Sequence, residues 1–474
     1  MTTKARFPVH CNGHKRRTAT VVVAVILVIV MMVGAFTMTR MPFVAAPVAQ
    51  TEVTFTASDR LLVVSPHPDD ESIACSGLIR HALAAGGSVT VLWMTAGDHN
   101  VIGPPLFWKK AAVTPAQFRE IGHRRMQEAR TAAAVLGLQP QNLVFLGYPD
   151  AGLSSIFMRT WSSQPYRSGV TNTSSVPYAD SVVAGQPQTA RNLLADVEHV
   201  IASFRPTVIA YPNSVDNHPD HQATCLFVTA ALADLQIDSR RLEYIVHADG
   251  WPRPFRFDPF ADLYAPPAVH ILGLHEEIIR LAPGEIDVKT RAIRAHASEL
   301  LPLATLFVFV RRTEIFFVPS DLSTSSDPER TARFLFPVNR TSEDDRTVIR
   351  SVTVSRDGSR TSLAVETNRP LNRLEDMKLF FFPLPGKGSF SRAPKLYVVY
   401  RGGNTTADVT DLGSPDTEEG SLPAISSDIG VTFVFDDRLT GGAPRGLFVC
   451  LEKGPGRIDT IRSRMIWIAV TSDP

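Results

Sequence analysis

Short apolar runs alternate with longer amphipathic stretches over residues 58–325. The apolar runs are almost continuously hydrophobic, which is typical of strands covered on both faces of a sheet. Gly and Pro residues lie between runs and stretches and mark the element boundaries. The alternation predicts an α/β fold with a mostly parallel sheet and helices on both faces. We expect strands at 61–66, 88–97, 143–150, 207–212 and 242–248, and helices at 71–85, 114–137, 189–204 and 219–234.

Two regions depart from this alternation. Residues 154–188 are rich in Ser, Thr, Gly and Pro, and we expect them to form a surface loop. From 330 to 474, short β-rich runs are separated by Gly, Pro, Asp and Asn turns, without a helical stretch between them. This second pattern predicts a β-rich C-terminal domain resembling an antiparallel sandwich.

The C-terminal runs carry several aromatic residues that could serve different purposes. Aromatic residues in strands usually belong to a core. Exposed aromatic residues would instead suit carbohydrate binding, and docking of this domain onto the rest of the chain or onto a partner is an equal alternative. The residues concerned are Phe380, Phe381, Phe382, Tyr397 and Tyr400.

The N-terminal pattern predicts a membrane anchor. Residues 1–17 carry five positive charges and no acidic residue, and residues 18–39 are uncharged and almost wholly apolar. A bilayer core needs about 20 apolar residues, and a basic flank stays in the cytoplasm. We therefore expect a cytoplasmic segment at 1–17, a single span at 18–39, a linker at 40–57 and an extracytoplasmic remainder. A cleaved signal peptide, which would release a secreted protein, is the alternative, although its apolar core is usually only about 7–15 residues long.

The composition excludes several classes of protein. The 474 residues include 48 basic and 47 acidic ones, so a nucleic-acid partner, which requires a basic surface, is not expected. The four cysteines are far apart and form no CxxC pair, which argues against a cysteine-rich zinc module and a disulfide framework. The length corresponds to two or three globular units.

Two clusters of His and Asp carry the candidate chemistry. The first expected strand is followed by HPDDE at 67–71, and the fourth is followed by HPDH at 218–221. The carboxyl ends of parallel strands meet at one edge, where open α/β sheets place their sites. Each cluster alone is also typical of a helix cap with satisfied histidines, but the pair at one edge predicts a metal site.

Side chains from both clusters can hold a divalent metal ion. His67 and Asp70 are three positions apart across a stiff proline turn, and His221 adds a ligand from the second cluster. This donor set suits Zn²⁺, and it also accepts iron or cobalt. Three protein ligands leave positions open for water and substrate, as a hydrolytic site requires. Asp69 cannot point the same way as Asp70, so we expect it to act as the general base.

The other groups of the second cluster supply further functions. As an imidazolium, His218 could donate a hydrogen bond to a tetrahedral oxyanion and then protonate the leaving amine. Pro219 at a helix start would hold that turn rigid. Asp220 is placed to orient one of the imidazoles. The nitrogen and oxygen ligand set is complete without a thiolate, so we expect Cys75 and Cys225 to be small buried residues near the site.

The segments PHPDDE and HPDHQAT resemble the motif pair of the LmbE/PIG-L family of zinc-dependent N-deacetylases. The resemblance covers residues 58–310. It implies a Rossmann-like fold and the hydrolysis of an N-acetyl group from an amino sugar or a related conjugate. By position it assigns zinc ligation to His67, Asp70 and His221, the general base to Asp69 and oxyanion stabilisation to His218.

The resemblance extends to residues that would contact the substrate. Family positions are matched by Arg125 with Glu128 in RRMQEARTAAAVLGL, by Asp150 in FLGYPDAGL and by Asp216. Arg125 and Asp150 resemble substrate contacts that bind sugar hydroxyls or a phosphate, and Asp216 is grouped with them. The residues alone allow a simpler interpretation, an arginine on a charged helix face and an aspartate in a turn.

Two further histidines have less defined roles. The segment KTRAIRAHASEL at 289–300 resembles a late family segment that usually ends in Ser-Gln. Here Ser298 is followed by Glu299, which leaves the role of His296 open. His247 lies near the end of the fifth expected strand, and we expect a polar strand-end residue there rather than a ligand.

These patterns together predict a membrane-anchored, zinc-dependent hydrolase that acts on an amino-sugar-containing glycan or glycoconjugate outside the cytoplasm. An amidase that acts on a non-sugar conjugate is an alternative, because a metal ion meets only the amide. A surface glycan-binding protein with a vestigial catalytic domain is another. Replacement of Asp69 by Ala separates catalysis from binding, because only a hydrolase would lose acetate release. The sequence indicates no particular protein partner.

Overall fold

The described residues cover most of both expected globular regions. The N-terminal segment 1–17 and the expected span 18–39 lie outside them, as does the first part of the linker 40–57. Within the described part of the chain, no helix has both the length and the hydropathy needed to cross a bilayer. A computed structural model describes residues 51–100, 113–162, 164–266, 269, 275–300, 304–319, 331–335, 347–369, 371, 376–414, 419–452, 458–459 and 464–469.

The α/β region contains strands and helices in alternation, as the sequence predicts. Its strands are β1 (Thr51–Glu52), β2 (Arg60–Ser65), β3 (Ser88–Thr95), β4 (Leu143–Tyr148), β5 (Val208–Pro212), β6 (Arg240–Tyr244), β7 (His275–Arg280) and β8 (Thr313–Val318). Its helices are α1 (Asp70–Ala74), α2 (Ser76–Ala84), α3 (Pro115–Leu136), α4 (Leu153–Arg159), α5 (Ala190–Phe204), α6 (Pro219–Leu235), α7 (Pro283–Ala295) and α8 (Ala297–Leu300), with 3₁₀ turns at Pro140–Asn142 and Ala304–Phe309.

These strands form one sheet in the order β1-β7-β8-β6-β5-β2-β3-β4. The run from β6 to β4 is parallel throughout, which confirms the predicted mostly parallel sheet. β8 is antiparallel to both β6 and β7, so the far edge of the sheet is mixed. The central strands are buried along almost their whole length, which accounts for their continuous apolar sequences.

Local sequence signals account for the long helix α3. The Thr114 side chain accepts a hydrogen bond from the Gln117 N–H (3.4 Å), and the Gln117 side chain accepts one from the Thr114 N–H (3.0 Å). Pro115 occupies the first turn, where its missing N–H costs nothing. Gly137 ends the helix with a left-handed φ of 96°, which glycine adopts without strain. The predicted helix at 114–137 is therefore confirmed.

The predicted continuous helix at 71–85 is wrong in one respect. Cys75 has a non-helical conformation and separates α1 from α2. The carboxylate of Glu314 on β8 accepts hydrogen bonds from the N–H groups of Gly77 (2.9 Å) and Leu78 (3.1 Å). A side chain that is distant in sequence thus caps the start of α2, and no local pattern contains that information.

The expected surface loop at 154–188 is also corrected. Helix α4 occupies its start, and the side chains of Trp161 and Tyr178 are buried. The Tyr178 hydroxyl donates a hydrogen bond to Asp98 Oδ2 (2.5 Å) beside the sheet edge. The large aromatic residues of the segment draw it into the core, although its average composition is that of a loop.

The C-terminal region is almost entirely β-structure. It contains a four-residue helix, α9 (Asp437–Thr440), and a 3₁₀ turn at Phe390–Arg392. Its strands are β9 (Thr331–Leu335), β10 (Thr347–Asp357), β11 (Arg360–Thr367), β12 (Asp376–Pro385), β13 (Leu396–Arg401), β14 (Thr406–Asp411), β15 (Glu419–Ser427), β16 (Gly430–Asp436), β17 (Pro444–Glu452), β18 (Ile458–Asp459) and β19 (Arg464–Ala469).

These strands form one curled sheet, which corrects the predicted two-sheet sandwich. The order is β18-β10-β11-β16-β15-β14-β13-β12-β17-β19, with β9 paired to β10, and all pairs except β10–β18 are antiparallel. Phe381 on β12 and Phe435 on β16 stack with ring centroids 3.8 Å apart, although their strands are not neighbours in the sheet. The sheet therefore curls so that one face closes on itself as a core, and the alternation in sequence is the same as for two facing sheets.

The other face of the curled sheet packs on the α/β region. Phe157 on α4 contacts the rings of Phe382 (5.7 Å) and Phe448 (5.7 Å) between centroids. Successive residues of β12 point to opposite faces, so Phe380 and Phe382 join the shared core while Phe381 faces the inside of the curl. Of the candidate carbohydrate-binding aromatic residues, four are buried and Tyr397 is partly buried. They are core and interface residues.

Candidate active site

The predicted site residues lie where the parallel strands end. His67 follows β2, Asp150 follows β4 and His218 follows β5. The strands β5, β2, β3 and β4 are consecutive in the sheet. Open α/β sheets place their sites where the carboxyl ends of parallel strands meet, which is called the strand-end rule below. Clusters that are far apart in the chain converge at this edge, as that rule predicts.

The three expected metal ligands meet at Asp70, and the ring centroids of His67 and His221 lie 5.3 Å apart. Asp70 Oδ2 lies 3.3 Å from His67 Nδ1 and 3.2 Å from His221 Nε2. Tetrahedral ligands placed about 2.1 Å from a zinc ion lie about 3.4 Å from one another, so these spacings fit such an ion. Among the described residues, His221 Nε2 is buried and has no hydrogen-bond partner, which leaves its lone pair for a metal. The donor set fits a divalent transition metal.

Asp216 fixes the orientation of His221. Its Oδ2 lies 3.1 Å from His221 Nδ1, so the ring proton resides on Nδ1 and Nε2 keeps its lone pair. Asp216 is fully buried, and it also accepts hydrogen bonds from the backbone N–H groups of His218, Val246 and His247. In this structure the carboxylate of Asp216 is occupied within the protein and orients His221, and its expected contact with the substrate stays a prediction.

Two carboxylates hold His67 from its other side. His67 Nε2 lies 3.2 Å from Asp150 Oδ1 and 3.4 Å from Asp220 Oδ2, so Nε2 carries the ring proton and Nδ1 is left as an electron-pair donor. Asp220 is fully buried and also accepts hydrogen bonds from the N–H groups of Ala151 (2.7 Å) and Leu153 (3.1 Å). The imidazole that Asp220 orients is thus His67. Asp150 contacts the same ring and lines the cleft.

Asp69 lies beside the ligand group on a strained turn. Its backbone φ is 147°, a conformation that costs energy for a residue with a side chain. The turn is held by its carbonyl, which accepts from the N–H groups of Ser72 and Ile73 (2.9 Å each), and by its own N–H, which donates to Glu71 Oε2 (3.1 Å). The carboxylate accepts a hydrogen bond from Arg125 Nη2 (3.1 Å) and lines the cleft. The turn therefore directs the Asp69 carboxylate away from Asp70, the expected metal ligand that follows it in the chain.

Acceptors surround the terminal nitrogens of Arg125, and its expected contact with sugar hydroxyls or a phosphate stays a prediction. The guanidinium is buried, and a side chain on Gly97 would come within 2.3 Å of Nη1, so glycine is required for this close approach. Its positive charge is already shared among protein carboxylates. Its partners are Asp69 (3.1 Å), Glu299 (3.2 Å), Asp150 (3.9 Å) and the carbonyls of Pro68 (3.0 Å) and Gly97 (2.9 Å).

Burial acts in opposite directions on Asp69 and His218. It raises the pKa of Asp69 to about 8, with Arg125 opposing this shift and the charge of Asp70 adding to it. It lowers the pKa of His218 to about 2, and neighbouring imidazoles add to that shift. As the N-cap of α6, His218 Nδ1 accepts the Asp220 backbone N–H (3.2 Å), so its ring proton is on Nε2. His218 is therefore placed to donate a hydrogen bond from Nε2, and its role as an imidazolium that protonates a leaving amine stays a prediction.

His247 lies at the cleft, where the sequence had suggested only a strand-end residue. Its ring centroid lies 4.8 Å from that of His221 and 5.1 Å from that of His218. The potential ligand atoms of Asp70, His221 and His247 lie within 4.8 Å of one another, as do those of His67, His218 and His221. His247 follows β6, so the strand-end rule that located the two clusters could also have located this residue.

The late segment places Glu299, rather than His296, at the cleft. Glu299 Oε1 lies 3.2 Å from Arg125 Nη1 and accepts a hydrogen bond from Asn100 Nδ2 (2.7 Å). His296 is buried, with Nε2 3.1 Å from Glu71 Oε1, so it supports the Asp69 turn from behind. The signal for Glu299 was the Ser-Glu ending where the family usually has Ser-Gln.

Cys75 and Cys225 are buried residues, as expected. Burial raises the pKa of both thiols well above the usual range. Neither thiol belongs to a potential ligand group among the described residues. The potential metal ligands in the described part of the chain are therefore nitrogen and oxygen donors.

The site opens into a cleft of about 560 Å³. This volume falls within the range of about 300–1,000 Å³ that is typical of small-molecule sites. The charged residues described above share the cleft with a set of apolar side chains, which are Ile73, Trp251, Phe255, Leu306, Val308 and Phe309. The cleft can therefore contact both the hydroxyl groups and the C–H faces of a small polar ligand.

Comparison with known proteins identifies the α/β region. Residues 62–232 match the PIG-L family described as GlcNAc-PI de-N-acetylase. The 1D-myo-inositol 2-acetamido-2-deoxy-alpha-D-glucopyranoside deacetylase of Actinosynnema mirum is 30% identical over 260 residues, which cover 52% of this chain and 83% of that protein. The corresponding enzyme of Nakamurella multipartita is also 30% identical, over 51% of this chain and 81% of its own length.

Solved structures give a more distant similarity. The N,N'-diacetylchitobiose deacetylase from Pyrococcus horikoshii is 17% identical, with a TM-score of 0.35, and the match covers 55% of this chain and 84% of that one. The motif pair, its convergence at the sheet edge and the coverage of the sequence relatives agree with one another. The chain belongs to the PIG-L family of N-deacetylases, a family of hydrolases.

Proposed function

We propose that this protein is a metal-dependent N-deacetylase that removes acetyl groups from an amino-sugar-containing glycan or glycoconjugate. The observation that carries this proposal is the convergence of His67 Nδ1, Asp70 Oδ2 and His221 Nε2 beside an unligated Asp69. A strained turn, an unpaired imidazole nitrogen and a separate buried carboxylate each cost stability, and such costs are typical of a functional site and not of a vestigial domain. The glycan-binding alternative therefore has less support.

The expected metal is zinc, because imidazole and carboxylate donors at these spacings suit it, although iron and cobalt accept the same set. His67, Asp70 and His221 would hold the ion. When bound there, a divalent ion supplies Lewis acidity toward the acetamide carbonyl and the attacking water. The carboxylates of Asp216 and Asp220 keep the two imidazoles in the orientation that such an ion requires.

The proton transfers fall to the protein side chains. Asp69 accepts a proton from the attacking water while the oxygen of that water bonds to the acetamide carbon. Arg125 holds the Asp69 carboxylate in place. The Nε2–H of His218 donates a hydrogen bond to the developing oxyanion. Asp69 then returns its proton to the amide nitrogen as the carbon–nitrogen bond breaks, which releases acetate and a free amine. This sequence needs no protonated His218.

The substrate is proposed to be an N-acetylated amino sugar. The curated relatives act on a 2-acetamido-2-deoxyglucopyranoside attached to inositol, and the cleft offers hydrogen-bonding and apolar surfaces for a ring of that kind. The uncharged apolar segment 18–39 and its basic flank support a membrane anchor with the site outside the cytoplasm. That location favours an envelope glycan or glycolipid over a cytoplasmic metabolite.

The test measures acetate release by the full-length protein in detergent. N,N'-Diacetylchitobiose and the inositol-linked N-acetylglucosaminide serve as substrates, and an N-acetylated amino acid tests the amidase alternative. We expect acetate from the sugars only, loss of the activity with a chelator and its return with Zn²⁺. Hydrolysis that continues in the metal-free protein would contradict the proposal, as would a preference for the amino acid.

A further inference from the structure

We infer that the cleft selects amino sugars without a negative charge near the acetamido group, and that Glu299 is a residue that determines this specificity. The inference rests on the proposed deacetylase function and names its substrate class. It separates neutral or cationic glycosides from phosphorylated ones.

Glu299 occupies a fixed place at the cleft. Its side chain is 8% exposed, it lies 3.2 Å from Arg125 Nη1, and it accepts the amide N–H of Asn100 at 2.7 Å. Helix α8, which carries it, is tied to α3 because Glu128 accepts hydrogen bonds from the backbone N–H (3.1 Å) and the hydroxyl (2.6 Å) of Ser298. The carboxylate of Glu299 is therefore a permanent part of the lining and not a mobile surface group.

The terminal nitrogens of Arg125 are held by acceptors within the protein. Two carboxylates lie within 3.2 Å of its guanidinium, a third lies at 3.9 Å, and two backbone carbonyls accept from it as well. Its Nε has no hydrogen-bond partner but is buried. A phosphate that bound Nη1 or Nη2 would have to displace Asp69 or Glu299 and leave a buried carboxylate unpaired, which is costly. Among the described residues that line the cleft, Arg125 is the sole arginine or lysine.

In the described part of the cleft lining, negative charges outnumber positive ones. With the imidazoles neutral, five carboxylates oppose one guanidinium, and a bound divalent ion would still leave the cleft negative. The excess remains if Asp69 holds a proton. A phosphate close to the scissile amide would meet this field, whereas a hydroxyl would not, and a neighbouring free amine would be attracted. The carboxylates are Asp69, Asp70, Asp150, Asp249 and Glu299.

The experiment compares matched substrates with the full-length, zinc-loaded protein. The methyl glycoside of N-acetylglucosamine is the neutral substrate, and its 3-phosphate, which places the charge on the carbon next to the one that carries the acetamido group, differs by the charged group alone. We expect kcat/KM for the neutral glycoside to exceed that for the phosphate by about tenfold or more at low salt. The ratio should shrink as ionic strength rises, because salt screens the repulsion.

Substitutions then test Glu299 itself. Glu299→Gln should lower the neutral-to-phosphate ratio by at least about threefold, because one negative charge is lost. Glu299→Asp retains the charge and should keep the selectivity even if kcat falls. Glu52→Gln is the matched control: it removes a carboxylate that is 61% exposed and does not line the cleft, and the ratio should stay near that of the native protein.

The possible results separate the two claims. Equal kcat/KM for both glycosides in the native protein would overturn the selectivity while leaving the deacetylase function intact. An unchanged ratio in Glu299→Gln, or an equal fall in Glu52→Gln, would overturn the role of Glu299. Absence of acetate from every sugar would overturn the proposed function and, with it, the selectivity that rests on it.

Discussion

The cleft and the interface with the C-terminal sheet are both buried, and they are built from opposite chemistry. The cleft contains buried carboxylates, imidazoles and a guanidinium. It also contains the strained turn at Asp69, where the backbone φ is 147°. The interface is a cluster of aromatic rings around Phe157, and the Lys395 amine among them donates hydrogen bonds to the carbonyls of Phe390 and Ala393. Buried charge and strain cost stability, whereas aromatic burial contributes it.

This difference indicates a division of labour between the two regions. The cleft keeps an arrangement that is useful for chemistry and unfavourable for folding. The curled sheet contributes a shared core and, in its described residues, shows no potential metal-ligand group. Substitutions in the cleft should therefore change activity more than stability, and substitutions at the interface should do the reverse.

The strongest test of the cleft side is Asp69→Asn. We expect kcat to fall by about 10²–10⁴-fold, because the base is lost while its shape is retained. The melting temperature should be unchanged or higher, since a carboxylate on a strained turn is neutralised. Acetate release and differential scanning calorimetry measure the two effects, with exposed Asp180→Asn as the control. A variant with a lower melting temperature and an unchanged kcat would contradict the division of labour between the cleft and the interface.

The strongest test of the interface side is Phe157→Ala. Removal of this ring from among Phe382, Phe390 and Phe448 should lower the free energy of unfolding by about 3–5 kcal/mol. Chemical denaturation measures the loss, and kcat per folded molecule should be retained. Phe260→Ala is the matched control, because its side chain is 80% exposed and its loss should cost less than about 0.5 kcal/mol.

Asp216→Asn distinguishes a positioning residue from a substrate contact. Because Asp216 orients His221, we expect metal affinity to fall by about 10–100-fold and KM to stay unchanged at saturating metal. Competition with a chromophoric chelator gives the affinity. A higher KM with unaltered metal affinity would restore the substrate contact that the family resemblance implied.

Lys395 makes the stability of the interface depend on pH. Burial lowers the pKa of Lys395 to about 7, and the charge of Arg191 adds to this shift. The unfolded chain keeps this proton up to a pH of about 10.4, so the unfolded state binds more protons between these values and stability rises with pH across that window. Lys395→Met should abolish this rise in urea denaturation series from pH 7 to 10. If the free energy of unfolding of the variant rises with pH at the same slope, the rise belongs to groups other than Lys395.

The convergence of the site could be predicted because it follows from local signals. Continuous apolar runs located the parallel strands, and the strand-end rule brought His67 and His221 to the same edge. The boundaries of α3 followed from Thr114, Pro115 and Gly137, whose effects are local. In each case the information lies within a few residues of the feature that it determines.

The remainder depended on contacts between distant segments. No local pattern shows that Glu314 caps α2, that Asp216 is enclosed by the backbone after β6, or that Arg125 is surrounded by acceptors from other loops. A curled sheet and a two-sheet sandwich have the same alternation, because each strand has one face toward a core in both. The protonation state of His218 likewise depends on burial by groups from several strands.

The central claim is that one divalent ion is held by His67, Asp70 and His221 while Asp69 stays unligated. Anomalous diffraction at the zinc edge from crystals of the zinc-loaded protein tests it most directly. We predict a single strong peak within about 2.3 Å of His67 Nδ1, Asp70 Oδ2 and His221 Nε2, without a bond to Asp69. A peak coordinated by Asp69, or one that His221 does not reach, would contradict the account.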